Sequence, residues 1–143
     1  MIRLPDRDWP ICAEAVALIA EREQGPNGGP ALKAYRCPAG VPTIGFGETA
    51  GVKMGMTCTE SEAWDMLARD LAARAQAVRA MLQHLANDEQ LGAMVSLAYN
   101  IGSEAFKKSS VLRLHNKGDF AVAARAFALW NKAKVGGKLQ VVA

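Results

Sequence analysis

The sequence predicts an α+β fold of two lobes, a small antiparallel sheet lobe and a mostly helical lobe joined by a long helix. Three observations predict it. Eight of the thirteen glycines lie between Gly25 and Gly55, interleaved with Pro26, Pro30, Pro38 and Pro42, a density that helices do not tolerate. From Thr59 onward, apolar residues recur at helical spacing. Ahead of the glycine-rich stretch, one short apolar segment runs to about Glu23.

Residues 1–8 read as a loose lead-in. Asp8 is placed to cap a first helix, with Pro10 in the first turn, where proline is tolerated. Val16, Leu18 and Ile19 supply its apolar positions through about Glu23. Between residues 24 and 57, three short apolar pieces (Leu32 to Tyr35, Val41 to Phe46, Val52 to Met56) alternate with breakers and predict an irregular antiparallel sheet with tight turns. Thr59-Glu60-Ser61-Glu62 has the form of a capping box. The helix it opens runs to about Leu85, with Ala63, Leu67, Leu71, Val78 and Leu82 on its apolar side. A second long helix spans about Asp88 to Asn100 and stops before Gly102. A turn at Ser103–Phe106 follows, then a helix capped by Ser109 or Ser110 and stopped at Lys117-Gly118. Asp119 caps a last helix running to about Trp130.

The 143 residues fit a single domain. The sheet lobe is expected at about 24–58. The helical lobe is expected at about 59–143, together with the N-terminal helix. A long helix joining two lobes predicts a cleft, where ligands bind. No internal repeat or low-complexity segment is visible.

Composition excludes several functions. Half the residues are hydrophobic, which suits a packed core and not a disordered chain. No run reaches the roughly 18 apolar residues of a membrane span. Ile11 to Ala20 contains Glu14 and lacks a basic lead-in, so it does not read as a signal peptide, and a cytoplasmic start is expected. The net charge of +3 suits a polyanionic target such as cell wall or nucleic acid. No basic run interleaved with aromatics supports the latter. Cys12, Cys37 and Cys58 are odd in number and form no C-x-x-C pair, which argues against a disulfide framework. His84 and His115 lack ligand spacing, so neither a metal nor a cofactor is expected.

A glycoside hydrolase needs a carboxylic acid that stays protonated near neutral pH and a group across the sugar ring that activates water or attacks carbon. Burial supplies the first condition by raising a carboxyl pKa. Glu23, at the end of the first helix, is a candidate and Glu21 its competitor. Position alone does not choose between a catalytic acid and an exposed helix-end carboxylate.

The stretch Ala34-Tyr35-Arg36-Cys37, followed by Gly40-Val41-Pro42-Thr43-Ile44-Gly45-Phe46-Gly47, resembles the sheet lobe of the phage-type lysozymes, glycoside hydrolase family 24. Leu18-Ile19-Ala20-Glu21-Arg22-Glu23 is similar to the segment carrying that family's acid. The likeness continues through Asn100-Ile101-Gly102, Asn116-Lys117-Gly118-Asp119-Phe120 and Leu129-Trp130-Asn131. The resemblance implies a lysozyme-like two-lobe fold and hydrolysis of the β-1,4 bond between N-acetylmuramic acid and N-acetylglucosamine in bacterial peptidoglycan. It implies Glu23 as general acid, Thr43 as the residue that positions water, and Cys37 at the family's aspartate position. Tyr35 is a candidate to stack on a sugar ring, with a packed core tyrosine as the alternative, and Asn100 to reach across the cleft, with a C-terminal helix cap as the alternative. It further implies an endolysin, monomeric and made in the host bacterial cytoplasm. Such an enzyme would depend on a separate membrane pore protein to reach the wall.

Four features depart from the family pattern. Cys37 replaces the carboxylate, which makes inversion more plausible than retention. The link Gln24 to Pro30 is longer than usual and is expected to form a loop at the cleft mouth. Glu48 stands where many relatives have His and reads as an ion-pair or cap residue. The stretch Gly136 to Ala143 stands where relatives usually have a Gly-Leu turn, a basic pair and a last helix, so either a trimmed terminus or a member lacking that helix is expected. Two alternatives stay open: a lytic transglycosylase using Glu23 alone, and a peptidoglycan-binding module without catalysis.

Overall fold

The computed structural model describes residues 2–121 and 124. Its elements run α1 (Ala13–Arg22), β1 (Ala31–Arg36), β2 (Pro42–Gly45), α2 (Glu60–Met81), α3 (Asp88–Ile101), α4 (Ser103–Lys107) and α5 (Ser110–Asn116). They divide into two compact units, Met1–Ala73 and Arg74–Ala143.

In the first unit, α1 starts at Ala13 with Cys12 at the N-cap position, later than the Asp8 start that the sequence predicts. The preceding residues are held elsewhere. The Trp9 ring meets the Trp64 ring edge-on at 5.9 Å. Arg7 lies over Trp9 and pairs with Asp65 at 2.9 Å. The Ile2 amide donates to Glu21 Oε2 at 3.0 Å. The lead-in is therefore strapped onto α1 and α2, and is not the loose segment expected.

β1 and β2 form an antiparallel pair with Tyr35 opposite Thr43, Arg36 opposite Pro42, and an irregularity between Ala31 and Tyr35. The third strand expected at Val52–Met56 is absent. That segment folds into turns closed by Val52 N–H to Thr49 O and Met56 N–H to Lys53 O. Its end still covers the outer edge of β1, because Ala34 N–H donates to Met56 O and Cys58 N–H to Leu32 O, both at 2.9 Å. Pairing of this kind removes an open strand edge. The unit's core holds Val16, Ile19, Ile44, Phe46, Trp64, Leu67 and Leu71, with Phe46 and Trp64 rings 4.4 Å apart. Met54 and Met56 are exposed.

The capping box at Thr59 forms as predicted: Thr59 N–H donates to Glu62 Oε1 at 2.9 Å and Glu62 N–H to Thr59 Oγ1 at 3.1 Å. Ala63, Leu67, Leu71 and Val78 are buried along α2.

In the second unit, α3 opens on a capping box between Asn87 and Gln90. Ser109 caps α5 by accepting from Leu112 N–H at 3.2 Å, which decides between the two serines. α2 ends at Met81, short of the expected Leu85. Side chains from α5 capture the backbone groups that a longer helix would use. Asn116 accepts from Gln83 N–H at 2.8 Å and donates to Met81 O at 3.0 Å. His115 Nε2 lies 3.1 Å from His84 O, and its ring packs against Phe120. Val78, Leu91, Met94, Val95, Leu97, Phe106, Val111 and Leu112 are buried in this unit. The helix expected from Asp119 is helical at Phe120 and Ala121. Most of its remainder, with Phe127, Trp130 and the terminal stretch 136–143, lies outside the described residues.

Asn116 thus ties the end of α5 to the end of α2. Asn116→Ala removes both bonds and strands a backbone donor and acceptor. The expected loss is about 1–3 kcal/mol, read as a fall in Tm of several degrees by thermal denaturation.

Candidate active site

Glu23 sits at the C-terminal cap of α1, where its N–H donates to Ile19 O at 2.9 Å. The chain leaves the helix there and turns toward the sheet, which leaves the carboxyl half-buried. Burial raises its pKa above the usual carboxylate range, and the neighbouring Arg22 charge opposes part of that rise. An acid in such a place holds its proton to higher pH than one in water.

Gly47 sets where that carboxyl lies. Ile44 and Glu48 exchange both backbone hydrogen bonds at 2.9 Å, which fixes the tight turn carrying Gly47. Gly47 has a φ of 81°, a conformation costing an L-residue about 1–2 kcal/mol. A Cβ there would fall 2.5 Å from Glu23 Oε2, so the acid rests against bare backbone. Gly47→Ala is expected to lower Tm, and to lower it markedly less in a Glu23→Ala background. The φ strain is common to both backgrounds and the clash is present in only one. Equal falls in the two backgrounds would remove the contact from the account.

The hairpin carries the other candidates. Tyr35 and Thr43 face each other across β1 and β2. Cys37 follows β1 in a turn closed by Gly40 N–H to Cys37 O at 2.7 Å and Cys37 N–H to Val41 O at 3.0 Å. Arg36 donates from Nη1 to Gly40 O at 3.1 Å and so braces the turn. The Cys37 thiol is shifted down. The Val41 N–H is the largest cause, with help from the Ala39 and Cys37 amides and the Thr43 hydroxyl, against a smaller upward push from burial. Amide donors from alternate residues of the turn, with the Thr43 hydroxyl, gather at the sulfur as a small anion nest.

Thr43 is buried. Its hydroxyl lies 2.8 Å from Val41 O. Having one proton, it donates either there or to the Cys37 sulfur. The Tyr35 phenol is shifted up, first by burial and then by the negative charges of Glu23 and Cys37. It therefore stays neutral, a hydroxyl on a flat apolar ring. Glu23, Tyr35, Cys37 and Thr43 all belong to the first unit, with Tyr35 and Thr43 paired across the hairpin. Asn100 belongs to the second unit, exposed in the last turn of α3, whose C-cap is Gly102.

Glu48 opens no helix. Its backbone bridges to Ile44. Among the described residues no group of three His, Cys, Asp or Glu side chains is placed to hold a metal, and no helix is long and apolar enough to cross a membrane. Three contributors escape sequence reasoning: the bare backbone of Gly47, the amide nest around Cys37, and Gln24. The Gln24 side chain donates to Glu21 O at 3.0 Å and accepts from Gly29 N–H at 2.9 Å. The G-x-G and Pro38-Ala39-Gly40 patterns mark the first two as turns, but that Gly47 faces Glu23 is set by a residue far off in sequence, and that the second turn aims its amides at the sulfur is set by its closed geometry.

The chain matches the family model described as phage lysozyme over residues 27–142. It is 40% identical over 118 residues to an endolysin of Salmonella phage P22, across 79% of this chain and 78% of that protein. Among solved structures, a mutant of P22 lysozyme aligns with a TM-score of 0.72 and 35% identity, covering 90% of this chain and 88% of that one. The muramidase domain of SpmX from Asticaccaulis excentricus aligns with a TM-score of 0.74 and 33% identity, covering 95% and 89%.

Proposed function

The chain belongs to the phage lysozyme family, and from that premise we infer that it is an endolysin, a glycoside hydrolase that cleaves the β-1,4 bond between N-acetylmuramic acid and N-acetylglucosamine in bacterial peptidoglycan. The α+β fold expected from the sequence accords with the lysozyme structures it resembles. The observation that carries the mechanism is the half-buried Glu23, held against Gly47 with its pKa raised by burial, in the same unit as the Cys37–Thr43 pair.

In the proposed mechanism, protonated Glu23 gives its proton to the leaving glycosidic oxygen as the bond to the anomeric carbon breaks. A water attacks that carbon from the opposite side of the ring. Thr43 positions this water through its hydroxyl, and the Cys37 thiolate, stabilised by the amide nest, takes the proton that the water releases. Tyr35 offers its ring face to a sugar. Asn100 is proposed as a substrate contact from the helical unit. No carboxylate other than Glu23 is invoked, so the attack is direct and the configuration inverts. The enzyme is further proposed to act as a monomer and to reach the wall with a separate membrane pore protein. Host lysis on expression with and without a co-expressed pore former tests that dependence.

Mass analysis of the soluble fragments released from purified peptidoglycan tests the reaction. Hydrolysis predicts fragments ending in ordinary reducing N-acetylmuramic acid. Fragments lighter by one water, with a 1,6-anhydro end, would make the enzyme a transglycosylase, and no release would contradict catalysis altogether.

A further inference from the structure

The link from Gln24 to Pro30 is a built element. The Gln24 carboxamide spans it, bonding Glu21 O on one side and Gly29 N–H on the other. Gly25 N–H donates to Gly29 O at 2.8 Å and Gly28 N–H to Gly25 O at 3.1 Å, closing the loop on itself. Three internal bonds within seven residues, besides the Glu21 bond, hold a wall in place before any ligand arrives.

Between this wall and β1 lies an open cavity of about 420 Å³, within the usual size range of small-ligand sites. It is lined by Gly25 to Gly28 and Pro30 of the loop and by Ala31 to Tyr35 of β1, with Asn27, Leu32 and Lys33 exposed and Tyr35 half-buried. Tyr35 is also the residue that senses the charges of Glu23 and Cys37. The loop that walls the cavity starts at the residue after Glu23 and the strand that lines it ends one residue before Cys37, so the cavity lies next to the proposed catalytic group along the chain.

We propose that the Gln24–Pro30 loop, with Ala31 to Tyr35, forms an additional saccharide subsite that takes one N-acetylated sugar ring of the peptidoglycan strand beside the catalytic group. The proposal rests on the lysozyme reading above. The lining suits such a ring. The Tyr35 ring and the exposed Leu32 side chain offer apolar surface to its face, the Asn27 carboxamide both donates and accepts, and the Lys33 ammonium donates to hydroxyl or acetamido oxygens. The rigid loop lowers the ordering cost of binding.

The test measures kcat and KM on peptide-free glycan strands of defined length, for the unaltered protein, Asn27→Ala, and Asn27→Ala/Lys33→Ala. Both side chains are exposed, so the fold is expected to survive. Asn27→Ala carries no charge change and separates hydrogen bonding from attraction to the strand's carboxylates. The expected result is a KM raised about 3- to 5-fold by the single change and about 10-fold by the double, in keeping with one and two lost hydrogen bonds. The rise should be concentrated in KM and grow with strand length. Unchanged KM at every length would overturn the subsite while leaving the lysozyme reading intact. No cleavage by the unaltered protein would instead remove the lysozyme reading itself.

Discussion

Glu23→Gln is expected to lower peptidoglycan hydrolysis about 10³-fold, a typical loss for removal of a general acid, and to leave the fold intact. The carboxamide is nearly isosteric, so it still fits against Gly47, but it has no acidic proton to give the leaving oxygen. The sign of the stability change separates this from simple damage. Burial raises the folded-state pKa of Glu23 above its unfolded value. Between those two values the native state binds more protons than the unfolded chain, so stability falls as pH rises through that window. At neutral pH the unaltered protein carries this penalty and the Gln variant does not. Its Tm at pH 7 should equal or exceed that of the unaltered protein, and the difference should vanish below the usual carboxylate range. A large loss of activity together with a large loss of Tm would assign Glu23 a structural role. In the unaltered enzyme, activity should decline as pH rises through the raised Glu23 pKa, because the acid must be protonated to act.

Cys37→Ala is expected to lower kcat about 10²-fold, and Cys37→Asp to restore most of it. The reasoning starts from the turn. The amides of Val41, Ala39 and Cys37 that pull the thiol pKa down stabilise any negative charge at that point, and a carboxylate is one. Alanine keeps the turn but removes the acceptor that orients and deprotonates water. The same amides make a pH prediction. Activity should fall as pH drops through the lowered Cys37 pKa, since protonation removes the base. In Cys37→Asp that acid-side decline should move to lower pH. Steady-state rates across pH for the three proteins measure it. If Cys37→Ala retains full activity, the sulfur is a packing atom and Thr43 positions water alone.

Local signals were the legible ones. The Thr59 capping box, the glycine- and proline-rich hairpin and the apolar positions Ala63, Leu67, Leu71 and Val78 of α2 depend on residues within a few positions of one another and formed as the sequence predicts, whereas Leu82 lies past the end of the helix and is only half-buried. The misreadings came from contacts made at a distance. Asp8 has the right chemistry for a cap, yet Trp9 meets Trp64 and Arg7 meets Asp65, which holds the chain away from a helix until Ala13. The apolar pattern of α2 runs on past Met81, but Asn116 and His115, more than thirty residues later, take the backbone groups at its end. Val52–Met56 has strand-like residues, but its only ladder contact is at its final residue.

The candidate site divides in the same way. Glu23, Cys37 and Thr43 stand out as residue types in a motif. The half-buried setting that raises the acid's pKa and the Gly47 backbone against which it rests arise only when α1 and the hairpin come together, and the nest that steadies the sulfur arises only when the Cys37 turn closes. Chemistry was readable from composition and spacing, while its tuning required the fold.

In the proposed reaction one half-buried acid and a water held by Cys37 and Thr43 perform direct displacement. The configuration of the first-formed product tests this most directly, followed by proton NMR of the new reducing end before mutarotation. Direct displacement predicts the α-anomer first, with the β-anomer growing in afterwards. Initial appearance of the β-anomer would require two successive displacements and contradict the mechanism.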